Sequence, residues 1–393
     1  MDKKVEKRET DYRFKILYAV GMIMVVAGHC NYGGISLLYE WFPPFSFHLG
    51  MFVFVSGYFY NDSAEASVWG YMKHKIKKLL LPLYLWNAAY VLLAIVLCKV
   101  GFPLVQGLDN VGTLMYALFL SPVLDGHMLA LNLGGWFVAP LIVVEGINVC
   151  VRRLLRYWSG TVKEISLFLL YLLVGCVGVW LAEKNLQNEM TMLTVLIVVV
   201  VRVLYFIPFY GMGILYRRVL ERYDRLSSFV YFSLIFVAQY LVIVFRGYVP
   251  TYTPSWGQIY ADGLIFPFFV GNLGIALWLR IAKILEPVIG RSKWINLIAD
   301  NSFSIMINHP LGFLGVMGVI AACKETFGIF TSFDFSAAVT NITYMYCPRG
   351  MPHFLIFYVG AGIIIGIVLQ KIIDYVKIKF LRKSNYGRFV EKR

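Results

Sequence analysis

Residues 192–216 read MLTVLIVVVVRVLYFIPFYGMGILY, 25 positions that carry a single charged side chain, Arg202. A helix needs about 20 apolar residues to cross the hydrocarbon core of a bilayer. Lipid offers backbone groups no hydrogen bonds, so only a helix or a closed barrel can cross it. The run shows no alternation of polar and apolar residues, which excludes a barrel strand and leaves a membrane helix.

Comparable runs flank it at 14–33, 45–60, 79–100, 134–150, 165–182, 228–245, 258–280, 295–321 and 355–375. The whole chain follows the same bias: 59% of its 393 residues are hydrophobic and 15% are charged, against about 25% charged in soluble domains. The expected fold class is therefore all-α, a polytopic membrane helix bundle of about ten transmembrane helices. The first run has a basic flank but no small-residue cleavage site, and further spans follow it. It reads as a retained helix rather than a signal peptide.

The net charge of +14 invites a nucleic-acid reading, which its distribution rejects. Lys3 to Lys15 lie before or at the start of the first helix, and Lys73, Lys75, Lys77 and Lys78 follow the second. Further groups follow the fourth, sixth, eighth and tenth, so 30 of the 36 Lys and Arg fall on one side. Only Lys99, Lys184, Arg246, Lys324 and Arg349 fall on the other, and Arg202 is inside a span. This is the positive-inside pattern, which places both termini in the cytoplasm of a multi-pass cell-membrane protein. The partners it implies are membrane lipids, with no nucleic acid.

No loop is long enough for a separate soluble domain, and no internal repeat of transporter-like period occurs. The division expected is a membrane domain over 1–376 and a basic cytoplasmic tail over 377–393, lying on the lipid surface. The short apolar piece Thr113 to Leu120 is too short to span and reads as interfacial or re-entrant. Cys323 and Cys347 share one outer loop, where they could pair.

Ionisable groups inside spans cost roughly 2.5–3.5 kcal/mol each on insertion scales, which makes each a functional candidate. His29 lies about 15 residues up the first helix, roughly 22 Å from its inner end. His48, at the outer start of the second helix, and His309, well up the ninth, fall in the same layer. His29 ends a stripe of Lys15, Tyr18, Met22, Val25 and His29 on one helix face. Pro310 should disrupt the helix after His309 and free a backbone carbonyl. Nothing in the spacing of the three histidines asks for a metal. Arg202 and Glu145 lie at similar depth in the sixth and fourth helices, so an ion pair is expected, either as an interhelical lock or to orient a substrate path. Asp262 stands near the outer end of the eighth helix, and Asp300, Asn301 and Asn308 complete a polar face on the ninth. Lys75, Lys77 and Lys78, with Lys73 and His74, mark the cytoplasmic mouth. They serve either topology and anionic lipid or the phosphates of a nucleotide-like donor.

Several stretches resemble the acyltransferase-3 family of membrane O-acyltransferases, and most closely its branch of fucose 4-O-acetylase-like and surface-polysaccharide enzymes. They are Val25-Val26-Ala27-Gly28-His29, Phe47 to Tyr58, Lys75 to Pro82, Gly134-Gly135-Trp136-Phe137, Pro208 to Met212 and Asn301 to Pro310. Their order and spacing fit across nearly the whole chain. The family pattern places a basic residue eleven positions before the first-helix histidine. Here that position is Tyr18, with Lys15 on the same face one turn nearer the cytoplasm.

The resemblance implies transfer of an acyl group, acetyl above all, from cytoplasmic acyl-CoA to a hydroxyl of a glycan or lipid-linked saccharide at the outer face of a bacterial plasma membrane. No permanently bound cofactor is expected; acyl-CoA is a co-substrate. His29 would be the general base, with His48, Asn308 or His309 steadying the oxyanion or fixing the imidazole tautomer. Lys15, Tyr18, Lys75, Lys77 and Lys78 would serve the donor, Trp136 would wall the acceptor site, and Arg202 and Glu145 would line the path. The rival reading is a transporter or flippase of a lipid-linked saccharide, which needs no CoA site. A receptor-like protein using its outer loops is the third.

Overall fold

The structure, a computed structural model, describes residues 10–30, 41–102, 108, 110–185, 191–259, 263–341, 344, 346 and 354–390, with side chains through Lys379. Asp262 and Cys347 lie outside the described residues. Twelve helices carry the architecture: α1 (Tyr12–Cys30), α2 (His48–Tyr58), α3 (Val68–Lys99), α4 (Val111–Leu120), α5 (Val138–Leu154), α6 (Thr161–Asn185), α7 (Met192–Leu215), α8 (Ser228–Arg246), α9 (Phe266–Ile289), α10 (Lys293–Asp300), α11 (Ser302–Phe327) and α12 (Leu355–Val390). Among the described residues there is no β-strand, only an isolated bridge between Thr253 and Gln258. The chain is an all-α polytopic membrane bundle.

Eight of these helices (α1, α3, α6, α7, α8, α9, α11 and α12) are long and apolar enough to cross a membrane unaided. The second and fourth expected spans differ. Here α2 has 11 residues and α5 has 17, and 11 residues rise only about 16 Å. Each is preceded by a 3-10 turn, Pro44–Ser46 and Gly135–Phe137, whose side chains are largely buried. Irregular backbone at membrane depth persists only inside protein or beside a cavity, and both turns meet that condition.

Two other boundaries move. The third span begins at Val68 rather than 79, because Ser67 caps the helix by accepting the Gly70 N–H. The basic run Lys73–Lys78 is thus helical and not a linking loop. A wide π turn at Ile76–Leu80 stands just before Pro82, whose ring cannot donate to the Lys78 carbonyl. The ninth span breaks at Asn301, whose amide donates to the Leu297 carbonyl at 2.7 Å and separates α10 from α11. The piece at Thr113 to Leu120 belongs to α4, which docks on α3 through Asn87 Nδ2 donating to the Ala117 carbonyl at 2.8 Å. The last helix continues through 377 without a break.

Burial sorts centre from rim. Eleven of the 19 residues of α1 are buried, against three of 19 in α8, so α1 is enclosed and α8 faces lipid. The short α2 lies against α7 at backbone contact. A Cβ on Gly57 would fall 2.0 Å from the Tyr210 carbonyl oxygen, and one on Gly213 would fall 2.0 Å from that of Phe54. Small residues allow this approach, which van der Waals packing then stabilises. On one side of α1, Phe14, Ile16 and Leu17 join an apolar core with α2, α7 and α9. On the other, Met22, Val26 and Ala27 join a core with α3, α11 and α12. The seam between these two cores is where a cavity opens.

Candidate active site

One wall of this cavity, about 280 Å³ in volume, is the α1 stripe Tyr18, Met22, Val25 and His29. His48, Leu49, Phe52 and Ser56 of α2 face it, with Lys75 and Lys78 of α3 at one end. Gly134, Trp136 and Glu145 come from α5 and its approach, and Tyr252 to Ser255 from the loop between α8 and α9. The helical spacing that placed the stripe on one face therefore holds for these four residues. Lys15 does not line the cavity; its ammonium pairs with Asp300 of α10.

The three outer histidines share one local geometry. His29 Nδ1 lies 2.8 Å from the Val25 carbonyl, and His48 Nδ1 lies 2.6 Å from that of Pro44. His309 Nδ1 lies 2.9 Å from the Met306 carbonyl and 3.1 Å from that of Ile305. A carbonyl only accepts, so each Nδ1 carries its hydrogen and each neutral ring keeps its lone pair on Nε2. The rings of His29 and His309 are 4.7 Å apart, a contact that their shared layer in the sequence left open. His48 lines the same chamber as His29, while His309 is fully buried behind it. In this tautomer none of the three offers an Nε2–H to an oxyanion. Asn308 is committed elsewhere: it accepts the Tyr90 hydroxyl at 2.6 Å and donates to the Ser304 carbonyl at 2.8 Å.

The cavity meets a second, more open one of about 540 Å³ lined by Tyr60, Asn61, Ser63, Ser67, Gly70, Tyr71 and Tyr210. Tyr18, Ser56, Lys75 and Lys78 line both, and so form a neck between them. Lys77 is exposed and lines neither. At the neck Glu145 Oε1 accepts the Ser56 hydroxyl at 2.6 Å and the Lys75 ammonium at 2.7 Å.

The expected pairing of Glu145 with Arg202 does not form. Arg202 donates to the carbonyls of Leu124 (2.5 Å), Asp125 (3.0 Å) and Ser255. It also lies 5.0 Å over the Trp136 ring. The reason is the path of the segment between α4 and α5, which folds in beside α7 and delivers carbonyls to the guanidinium. Equal depth in sequence did not mean adjacency. Trp136 itself is buried, wedged between Arg202 and the parallel ring of Phe206, and lines the cavity.

Arg202 thereby ties two outer loops together. Between them His127 stacks on Trp256 at 4.2 Å and its Nε2 donates to the Ser255 carbonyl at 3.2 Å. Burial, and then the nearby Arg202 charge, push the His127 imidazole down to about 4. Sequence reasoning missed the lining by Phe45, Ser56 and Tyr252 to Ser255. Ser56 stood inside a quoted motif and was legible; the loop residues carried no periodicity and were not.

No curated protein and no solved structure matches the chain. A family model described as an acyltransferase domain matches residues 11–371. The chain, a multi-pass membrane protein with a histidine-walled cavity, belongs to the acyltransferase-3 family.

Proposed function

We propose that this membrane acyltransferase moves an acyl group, acetyl in the first instance, from cytoplasmic acyl-CoA to a hydroxyl of a cell-surface glycan or lipid-linked saccharide, in a bacterial plasma membrane. The observation that carries the reading is one cavity lined both by Lys75 and Lys78, where it meets the second cavity, and by His29 and His48. A cationic entrance suits the phosphates of CoA, and the extended pantetheine arm suits a narrow passage between inner mouth and outer layer. The positive-inside distribution supports a cytoplasmic position for the lysines.

His29 serves as general base. With Nδ1–H held on the Val25 carbonyl, its Nε2 takes the proton of the acceptor hydroxyl. The hydroxyl oxygen attacks the thioester carbonyl carbon, and the C–S bond breaks. The proton passes from the imidazolium to the departing thiolate, giving an ester and free CoA. His48, with Nε2 also bare, orients the acceptor in the same chamber, and Trp136 walls it. Lys15 acts on this site only through its pair with Asp300, which fixes the inner end of α1.

The test is release of free thiol from acetyl-CoA by the purified protein, with and without saccharide acceptors. His29→Ala should lower the acceptor-dependent rate by about 100-fold or more. A wild type that releases no thiol, or a variant that keeps its rate, would leave a transporter as the better reading.

A further inference from the structure

Glu145 is 1% exposed and sits in the wall of the neck. Two donors, Ser56 and Lys75, converge on its Oε1 and so fix the rotation of the carboxylate. The other oxygen, Oε2, is buried and has no hydrogen-bond partner among the described residues. The Tyr71 phenol is close enough to interact with this carboxylate, but it makes no hydrogen bond to Oε2 of full distance and angle. A buried acceptor left without a donor is destabilising, and more so when charged. Glu145 lines the cavity, so a small shift of the wall would open Oε2 to an N–H or O–H from within it, in place of the Tyr71 hydroxyl.

Resting on the acyltransferase reading above, we propose that Glu145 Oε2 accepts an amide N–H of the pantetheine arm of acyl-CoA, and so sets the depth at which the thioester stops beside His29. Location and charge select this group. The phosphates of the donor are repelled by a carboxylate and are drawn to Lys75 and Lys78. The thioester has no N–H. On the acyltransferase reading the acceptor saccharide would occupy the part of the cavity lined by His29, His48 and Tyr252 to Ser255, away from Glu145. What passes the neck is the neutral arm, whose polar hydrogens are those of its two amides and one hydroxyl.

Glu145→Gln tests this with almost no change of shape. Ser56 and Lys75 both donate, so they hold the amide oxygen of the glutamine on their side. The NH2 then replaces Oε2, and an acceptor becomes a donor. The readout is competition against acetyl-CoA turnover by two fragments of the donor: pantetheine, and adenosine 3′,5′-bisphosphate, which has phosphates and no arm. The inhibition constant of pantetheine should rise about tenfold, while that of the bisphosphate should not rise. Parallel increases in both, or no change in either, would overturn the assignment and leave Glu145 a structural group. A wild type that releases no thiol removes the acyltransferase reading itself, so the two failures are distinguishable. Where the variant is inactive or unfolded, a structure of the unaltered protein with CoA decides. An amide nitrogen within hydrogen-bond distance of Oε2 is expected, whereas Oε2 bound only to water or to Tyr71 would overturn it.

Discussion

His309 caps the backbone carbonyl of Met306 through its Nδ1–H at 2.9 Å. That carbonyl would ordinarily receive the N–H of residue 310, but Pro310 has none. The side chain of one residue thus repairs the defect made by the next, and α11 runs through the proline unbroken. Gly134 closes on the same carbonyl, since a Cβ there would fall 2.3 Å from it. The cavity wall at Trp136 and the ring beside His29 are in this way built on one backbone oxygen.

A double-mutant cycle reads this arrangement. His309→Phe leaves the buried Met306 carbonyl without its donor and should destabilise the protein by about 1–3 kcal/mol. Pro310→Ala restores the backbone N–H, so the double variant should be more stable than His309→Phe alone. Thermal midpoints in detergent measure the cycle. Simple additivity would mean that the ring and the proline are not coupled through that oxygen.

The basic run on α3 should separate by face. Lys78 lines both cavities and Lys77 lines neither. Lys78→Met is expected to raise the KM for acetyl-CoA by about tenfold, as for loss of a charge-assisted phosphate contact. Lys77→Met should leave it within about twofold, in keeping with a solvated charge. Initial-rate kinetics at saturating acceptor compare the pair. Equal effects would point to a general surface potential instead of a built mouth.

The outer loops should loosen in acid. The His127 imidazole is pushed down to about 4 by burial and by Arg202, against about 6.5 in an unfolded chain. The unfolded state therefore binds the proton first, and stability is lost as pH falls from about 6.5 towards 4. Above 6.5 this group contributes no slope. His127→Gln should flatten the acid side of a plot of thermal midpoint against pH. A plot that keeps the same slope in the variant would place the acid sensitivity elsewhere.

Much of the fold was legible because lipid simplifies the problem. Apolar length picked out the spans, and the side on which lysine and arginine collect gave their direction. The stripe from Tyr18 to His29 needed only helical periodicity, and it does face the cavity. Lys15, one turn further in, left the stripe because Asp300 of α10 offered it a carboxylate. The length rule failed at α2 and α5 for a related reason: these helices face protein and cavity, where short turns can replace helix.

The amino-acid sequence by itself determined a multi-pass helical bundle, its family and the histidine-bearing face of its first helix, because apolar length, charge asymmetry and helical spacing are properties of one segment at a time. The tertiary structure alone decided that Glu145 meets Lys75 and Ser56, that Arg202 meets carbonyls, and that two cavities share a neck. Those outcomes depend on which segments become neighbours, and a buried charge settles on whichever satisfied geometry the packed chain brings within reach.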